Sequence, residues 1–160
     1  MAKIEKTNVM RVLDSNKIKY QEHYYGDGEA ISGVEVADYL GQDANKVFKT
    51  LVTTGKSGAH YVFMVPVAEE LDLKKAAKVV GEKSIEMLKA KDLLGLTGYV
   101  HGGCSPIGMK KNFKTIIHHT AANYDTIIFS GGKIGFQVEL SFEDLRKVIR
   151  MDAADVICEK

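Results

Sequence analysis

Apolar positions recur along the chain with two periods, and the switches between them outline the elements. Val9, Met10, Val12 and Leu13 fall on one helical face, which predicts a helix over about Lys3 to Lys17 that Asn16 stops. Ile18 to Tyr25 alternates in places and is rich in aromatics, a strand signal, and Gly26, Asp27 and Gly28 supply the turn after it. Ser32 and Glu35 have the spacing of a capping box, so a helix runs from Gly33 to Leu40 and ends at Gly41. Beyond a short turn or helix through Asp43 to Lys46, Val47 to Thr53 and Tyr61 to Val67 read as strands flanking the turn Thr54 to Gly58.

Asp72 caps a helix through Val80 that Gly81 terminates, with Leu73, Ala76, Ala77 and Val80 as its apolar face. Strand fragments and a short helix occupy Ser84 to Leu94. Tyr99 to His101 lead into the glycine-rich loop GGCSPIG, and strands follow at Thr115 to His118 and Thr126 to Ser130. Gly131 and Gly132 turn the last of these back into Ile134 to Leu140 as a hairpin, and Ser141 starts a final helix through Ile149. At least six strands interspersed with helices, without regular βαβ alternation, predict an α+β fold with a mixed, curved sheet. With 160 residues and no internal repeat, the chain reads as one domain over 1–160.

Charge narrows the choice of partners. Lys plus Arg number 22 against 21 Asp plus Glu, so the strongly basic footprint of a dedicated nucleic-acid binder is missing and any polyanion site is local. Two clusters qualify: Lys74, Lys75 and Lys78 on one helix, and Lys110, Lys111 and Lys114 after the glycine loop. Taken alone, each reads first as a solvated face. Two cysteines, Cys104 and Cys158, are too few for a disulfide framework, the first residues lack the apolar core of a secretory signal, and no apolar run approaches the roughly 20 residues that span a bilayer. The expectation is a cytoplasmic protein with no membrane partner.

Several motifs invite chemistry. Gly55, Lys56 and Ser57 mimic the end of a phosphate-binding loop, but Thr50 stands where its leading glycine belongs and a strand follows where a helix is required. His101 and Cys104 suggest a thiol and its base or a pair of metal ligands, yet His118 and His119 provide no clear second half of a metal site, and Cys104 also reads as a small apolar filler. The loops Gly102 to Gly108 and Ser130 to Gly135 each follow a strand. Successive amides in such loops can converge on an anion or a carbonyl oxygen, or the loops are simply surface turns. Lys49 shares strand parity with Val47 and Leu51, and a charge on an apolar face is either a snorkelling edge residue or a pocket cation.

Taken together, VFKTLV, PVAEELDLKKAAKVVG, TGYVHGGCSPIG, KTII and IIFSGGKIGFQVEL resemble, in this order, stretches of the YbaK/EbsC family, which includes the editing insertion of bacterial prolyl-tRNA synthetases. The resemblance covers nearly the whole chain. It implies a barrel-like sheet of six or seven strands with surrounding helices, and hydrolysis of the ester joining a wrong amino acid to the terminal adenosine of tRNA. LDLKK and SGGK point to the branch acting on Cys-tRNA(Pro), or on Cys-tRNA(Cys), with the substrate's own thiol attacking its ester. The resemblance carries the family's lysine onto Lys49, with Gly102, Gly103 and Ser105 completing the catalytic set. Tyr25, Thr50, Ser130, Gly131 and Gly132 would bind the aminoacyl group, and Lys74, Lys75, Lys110 and Lys111 are candidates to contact tRNA. The partners implied are the acceptor end of aminoacyl-tRNA and a complex with prolyl-tRNA synthetase, with no metal and no cofactor. Two departures concern the pocket: no aromatic stands near Ile31 and Ser32, and Gln137 replaces an acidic residue of some members.

Overall fold

A computed structural model describes residues 6–25 and 33–159. The predicted turn at Gly26 to Gly28, the capping Ser32 and the helix start at Lys3 lie outside the described residues. Helix α1 spans Asn8–Ser15, later than the apolar spacing predicts, because Thr7 stands in extended backbone and its hydroxyl accepts the Met10 N–H at 3.2 Å. Strand β1 is Gln21–Tyr24, helix α2 Gly33–Tyr39, and a 3-10 turn at Ala44–Lys46 leads into β2, Phe48–Gly55. The strand β3, His60–Pro66, directly follows the Gly55 to Ser57 segment, which agrees with rejecting a phosphate loop there. In α3, Leu73–Val80, the Asp72 carboxylate accepts the Lys74 and Lys75 amides, and Gly81 closes the helix in the left-handed region at φ 78°. Then come β4 (Ile85–Met87), α4 (Ala90–Thr97), β5 (Lys114–His118), β6 (Ile127–Ser130), β7 (Phe136–Leu140), α5 (Phe142–Val148) and β8 (Met151–Ala154).

The α+β class holds, with one correction to the architecture. Among the described residues eight strands form two sheets, β1-β7-β6 and β4-β2-β3-β5-β8, and they do not close into a barrel. The reason lies in the pairing of β2. Val67 N–H bonds Val47 O and Gly55 N–H bonds Ala59 O, so the odd-numbered residues of β2 face β3, and the even-numbered ones turn their N–H and C=O groups to the opposite edge. On that edge β4 and Leu88 take up the stretch from Val52 onward, while at the other end the sheets touch at one parallel bridge, Val47 with Ile128. Between these two anchors the seam of the would-be barrel stays open.

The five-stranded sheet separates two cores. Phe48, Val52, Met64 and Ile117 pack with Met10 and Leu13 of α1, Leu93 of α4, Leu145 of α5 and Phe129 and Val138 of the smaller sheet. On the other side Phe63, Val65 and Ile116 pack with Ala76 and Ala77 of α3. The strand β8 escapes sequence reasoning because Asp152, Ala153 and Ala154 are poor strand formers; it forms by parallel pairing with β5, and buried Met151 and Val156 pin its two ends.

Glu139 is the centre of a half-buried ion network that pattern reading overlooks. His23 and Lys46 lie 2.8 and 3.0 Å from its carboxylate, and the Thr126 hydroxyl also donates to it. Burial pushes the Glu139 carboxyl up, but the bonds from Thr126, His23 and Lys46 outweigh it and bring it down to about 2. A depressed carboxylate stabilises the fold above its unfolded value, and that contribution is lost as pH falls from there through the folded value. Glu139→Gln is therefore expected to cost on the order of 2 kcal/mol at neutral pH. In urea unfolding across the acid range the gap to wild type should close between the ordinary carboxylate value and about 2; a gap independent of pH would remove the network from this account.

Candidate active site

The open seam is a cleft of about 680 Å³. One wall is β2 from Val47 to Val52, the facing wall is Phe129, Ser130, Phe136 and Gln137, and Met87, Leu88 and Leu93 close one side. Most of this lining is apolar, so the few polar groups in it stand out. Thr50 is the first. It sits between the Ile128 bridge and Leu88, outside the β4 ladder, and its buried hydroxyl has no hydrogen-bond partner among the described residues. A buried hydroxyl left unpaired at an open strand edge is costly unless a ligand meets it.

Lys49 is the second. Its side chain is half-buried at the cleft, and the ammonium lies 3.9 Å from the carboxylate of Glu70, which is exposed and also lines the cleft. Of the two sequence readings of Lys49, the structure supports the pocket cation. Tyr25 is brought to the cleft by its amide, which bonds Gly135 O at 2.8 Å in the β6–β7 turn. Gln137 is buried and accepts from the Gln42 side chain at 2.8 Å, so this wall is neutral.

The two glycine loops are in contact: a Cβ at Gly103 would stand 3.1 Å from Ile134 N. Gly102 reaches the cleft with φ 89°, a conformation that glycine adopts without strain. Not every loop amide is available for an oxyanion. Gly103 N–H is bonded to Val100 O, Gly131 N–H to Phe136 O, and Gly132 N–H to the Ser130 hydroxyl. Gly102, Cys104 and Ser105 have amides without a protein acceptor among the described residues. Ser105 itself is fully buried, its hydroxyl accepts the Ile107 amide, and it does not line the cleft; it shapes the loop from behind. Gly103, Gly131 and Gly132 likewise stand outside the cleft lining.

Cys104 lines the cleft, a position that sequence spacing did not disclose, and burial pushes its thiol up to about 12. At neutral pH such a thiol is almost wholly protonated, and the thiolate is the nucleophile. His118, His119 and Asp155 are the one triad of metal-type ligands among the described residues, none of them at the cleft. His118 Nδ1 accepts the Val156 amide and the Lys75 ammonium sits 3.1 Å from Asp155, a cation where a metal ion would have to enter. Lys75 also bonds Ile157 O, and neither it, Lys74 nor Lys111 lines the cleft, whereas Lys110 lines another, smaller cavity.

Comparison with known proteins decides the family. The model of the aminoacyl-tRNA editing domain matches residues 29–148. The chain belongs to this family. It is 44% identical over 95% of its length, and 93% of the relative's, to EbsC of Enterococcus faecalis, provisionally named a Cys-tRNA(Pro)/Cys-tRNA(Cys) deacylase. It is 27% identical over 75% of its length to the proline–tRNA ligase of Fervidobacterium nodosum, of which it spans 20%. In fold it is similar to a crystal structure described, again provisionally, as a trans-editing enzyme for prolyl tRNA synthetase, with a TM-score of 0.81 at 22% identity over 97% of this chain and all of that one. By family, then, this is an aminoacyl-tRNA deacylase, and its cleft is the candidate active site.

Proposed function

We propose that the protein hydrolyses Cys-tRNA(Pro), or Cys-tRNA(Cys), as a free-standing editing enzyme, and that the substrate's thiol is the nucleophile. The observation that carries this reading is the open edge of β2: a cation, Lys49, beside Thr50 with its buried, unpaired hydroxyl, next to a protein thiol kept protonated by burial. The edge can hold a polar aminoacyl ester in a near-attack conformation, which removes much of the entropic barrier to ring closure. In the reaction the cysteinyl sulfur attacks its own ester carbonyl, a carbon–sulfur bond forms, and the carbon–oxygen bond to the adenosine breaks. The thiol proton ends on the leaving ribose oxygen. Free tRNA and a four-membered cyclic thioester result, and water opens the thioester to cysteine. Lys49 anchors the terminal phosphate or polar groups of the adenosine, and free amides at Gly102 or Cys104 receive the developing oxyanion.

Selection of the tRNA is assigned to a complex with prolyl-tRNA synthetase in the cytoplasm. Among the described residues no helix is long and apolar enough to cross a membrane. The direct test is a deacylation panel of Cys-, Ala-, Ser- and Pro-tRNA. Cysteine or its thiolactone should be released fastest from Cys-tRNA(Pro), and retention of all four esters would leave a binding module in place of an enzyme.

A further inference from the structure

We infer that the second cavity of the molecule is a phosphate subsite that grips the acceptor strand of the tRNA next to the reacting end. The inference rests on the deacylase reading and extends it to residues outside the cleft. This cavity, about 270 Å³, lies where the start of α1 meets the two glycine loops, and Asn8, Tyr99, Gly108, Lys110, Gly132 and Lys133 line it. No carboxylate is among its lining residues. Both lysines are exposed at their backbone positions, and neither belongs to an ion pair among the described residues; Lys110 reaches only the Gly95 carbonyl at 3.5 Å. Two unneutralised ammonium groups around one concavity draw in an anion. The Asn8 side chain and the Asn8 and Val9 amides, which have no protein acceptor among the described residues, add neutral donors of the kind that accompany phosphate contacts.

The position of the cavity chooses which anion. The same two chain segments line both cavities: His101 and Gly102 face the cleft while Gly98 and Tyr99 face the second cavity, and Ser130 faces the cleft while Gly132 and Lys133 face the second cavity. Two residues of chain span about 7 Å, so one single-stranded RNA end can place its terminal aminoacyl group in the cleft and a neighbouring phosphodiester between Lys110 and Lys133. A Cβ at Gly132 would stand 2.8 Å from the Val9 side chain, so α1 packs directly against this turn and fixes the distance between the two sites. Lys133, absent from the sequence-level candidates, thereby joins Lys110, while Lys74, Lys75 and Lys111 stay outside.

The test measures affinity for deacylated tRNA against salt, which needs no turnover. The double variant Lys110→Ala/Lys133→Ala should bind about tenfold more weakly than wild type at low salt, and the slope of log affinity on log salt should become shallower by about 0.7, the value for one phosphate on a single strand. Lys110→Arg/Lys133→Arg should retain binding and slope, and Lys74→Ala/Lys111→Ala should match wild type. Unchanged affinity and slope in the alanine pair, or an equal loss in the control pair, overturns the subsite. Failure of the deacylase reading shows elsewhere, as wild-type protein that releases no amino acid from any aminoacyl-tRNA.

Discussion

Replacing Lys49 by alanine is expected to lower kcat/KM on Cys-tRNA(Pro) at least about 100-fold while the melting temperature moves by no more than about 2 °C. The two halves of this expectation come from two different environments for the same ammonium. In the free protein its only partner among the described residues is Glu70, 3.9 Å away on a side chain that is 83% exposed, and a pair of that kind contributes about 0 to 1 kcal/mol. In the loaded cleft water is excluded and the ammonium meets a phosphate or ribose group. A charge-assisted bond there is worth about 2 to 3 kcal/mol, which is the hundredfold. Glu70→Gln, which removes the weak partner and leaves the cation, should keep most of the activity. A Lys49→Ala protein that is folded and cleaves at the normal rate would dismiss the anchor, and one that is inactive because it unfolds would return Lys49 to the core.

Local signals in the chain carried most of the elements. Asp72 and Gly81 bound α3, Ser141 caps α5 through its bond to the Asp144 amide, and the glycine pair turns β6 into β7. These are contacts within a few residues, which sequence spacing can express. Sheet closure is of a different kind, because it depends on which strand occupies which edge. The barrel-like sheet was inferred from family resemblance, and its opening follows from β4 covering only the later half of the outer β2 edge, a partnership between segments some thirty residues apart. The site shows the same division. Lys49 and Thr50 were legible through the VFKTLV motif, but only the structure shows the unpaired buried hydroxyl of Thr50 and Cys104 on the cleft wall. Gly103, Gly131 and Gly132 looked alike as amide donors, and tertiary bonds to Val100, Phe136 and Ser130 use those amides up. The Glu139 network had no periodic signal, since His23, Lys46 and Thr126 come from three separate segments.

The largest contrast of all is expected between two substrates rather than two proteins. With Ser-tRNA in place of the nearly isosteric Cys-tRNA, the single-turnover rate should fall about a thousandfold or more, because a hydroxyl is a far poorer nucleophile than a thiol near neutral pH. An ordinary substrate thiol is a few per cent thiolate there, whereas a thiol raised to about 12 is ionised in about one molecule in 100,000. The protein's own cysteine is therefore at a disadvantage of three orders of magnitude before geometry is considered, and Cys104→Ala should retain turnover within a few-fold. Water attack assisted by Lys49 would treat the substrate side chain as a bystander and act on both esters alike. Comparable rates on Cys- and Ser-tRNA would thus end the self-cleavage mechanism and leave the open β2 edge as a binding platform for an activated water. Loss of turnover in a folded Cys104→Ala protein would instead mean that substrate binding strips the thiol of its proton, because nothing in the unliganded cleft does so.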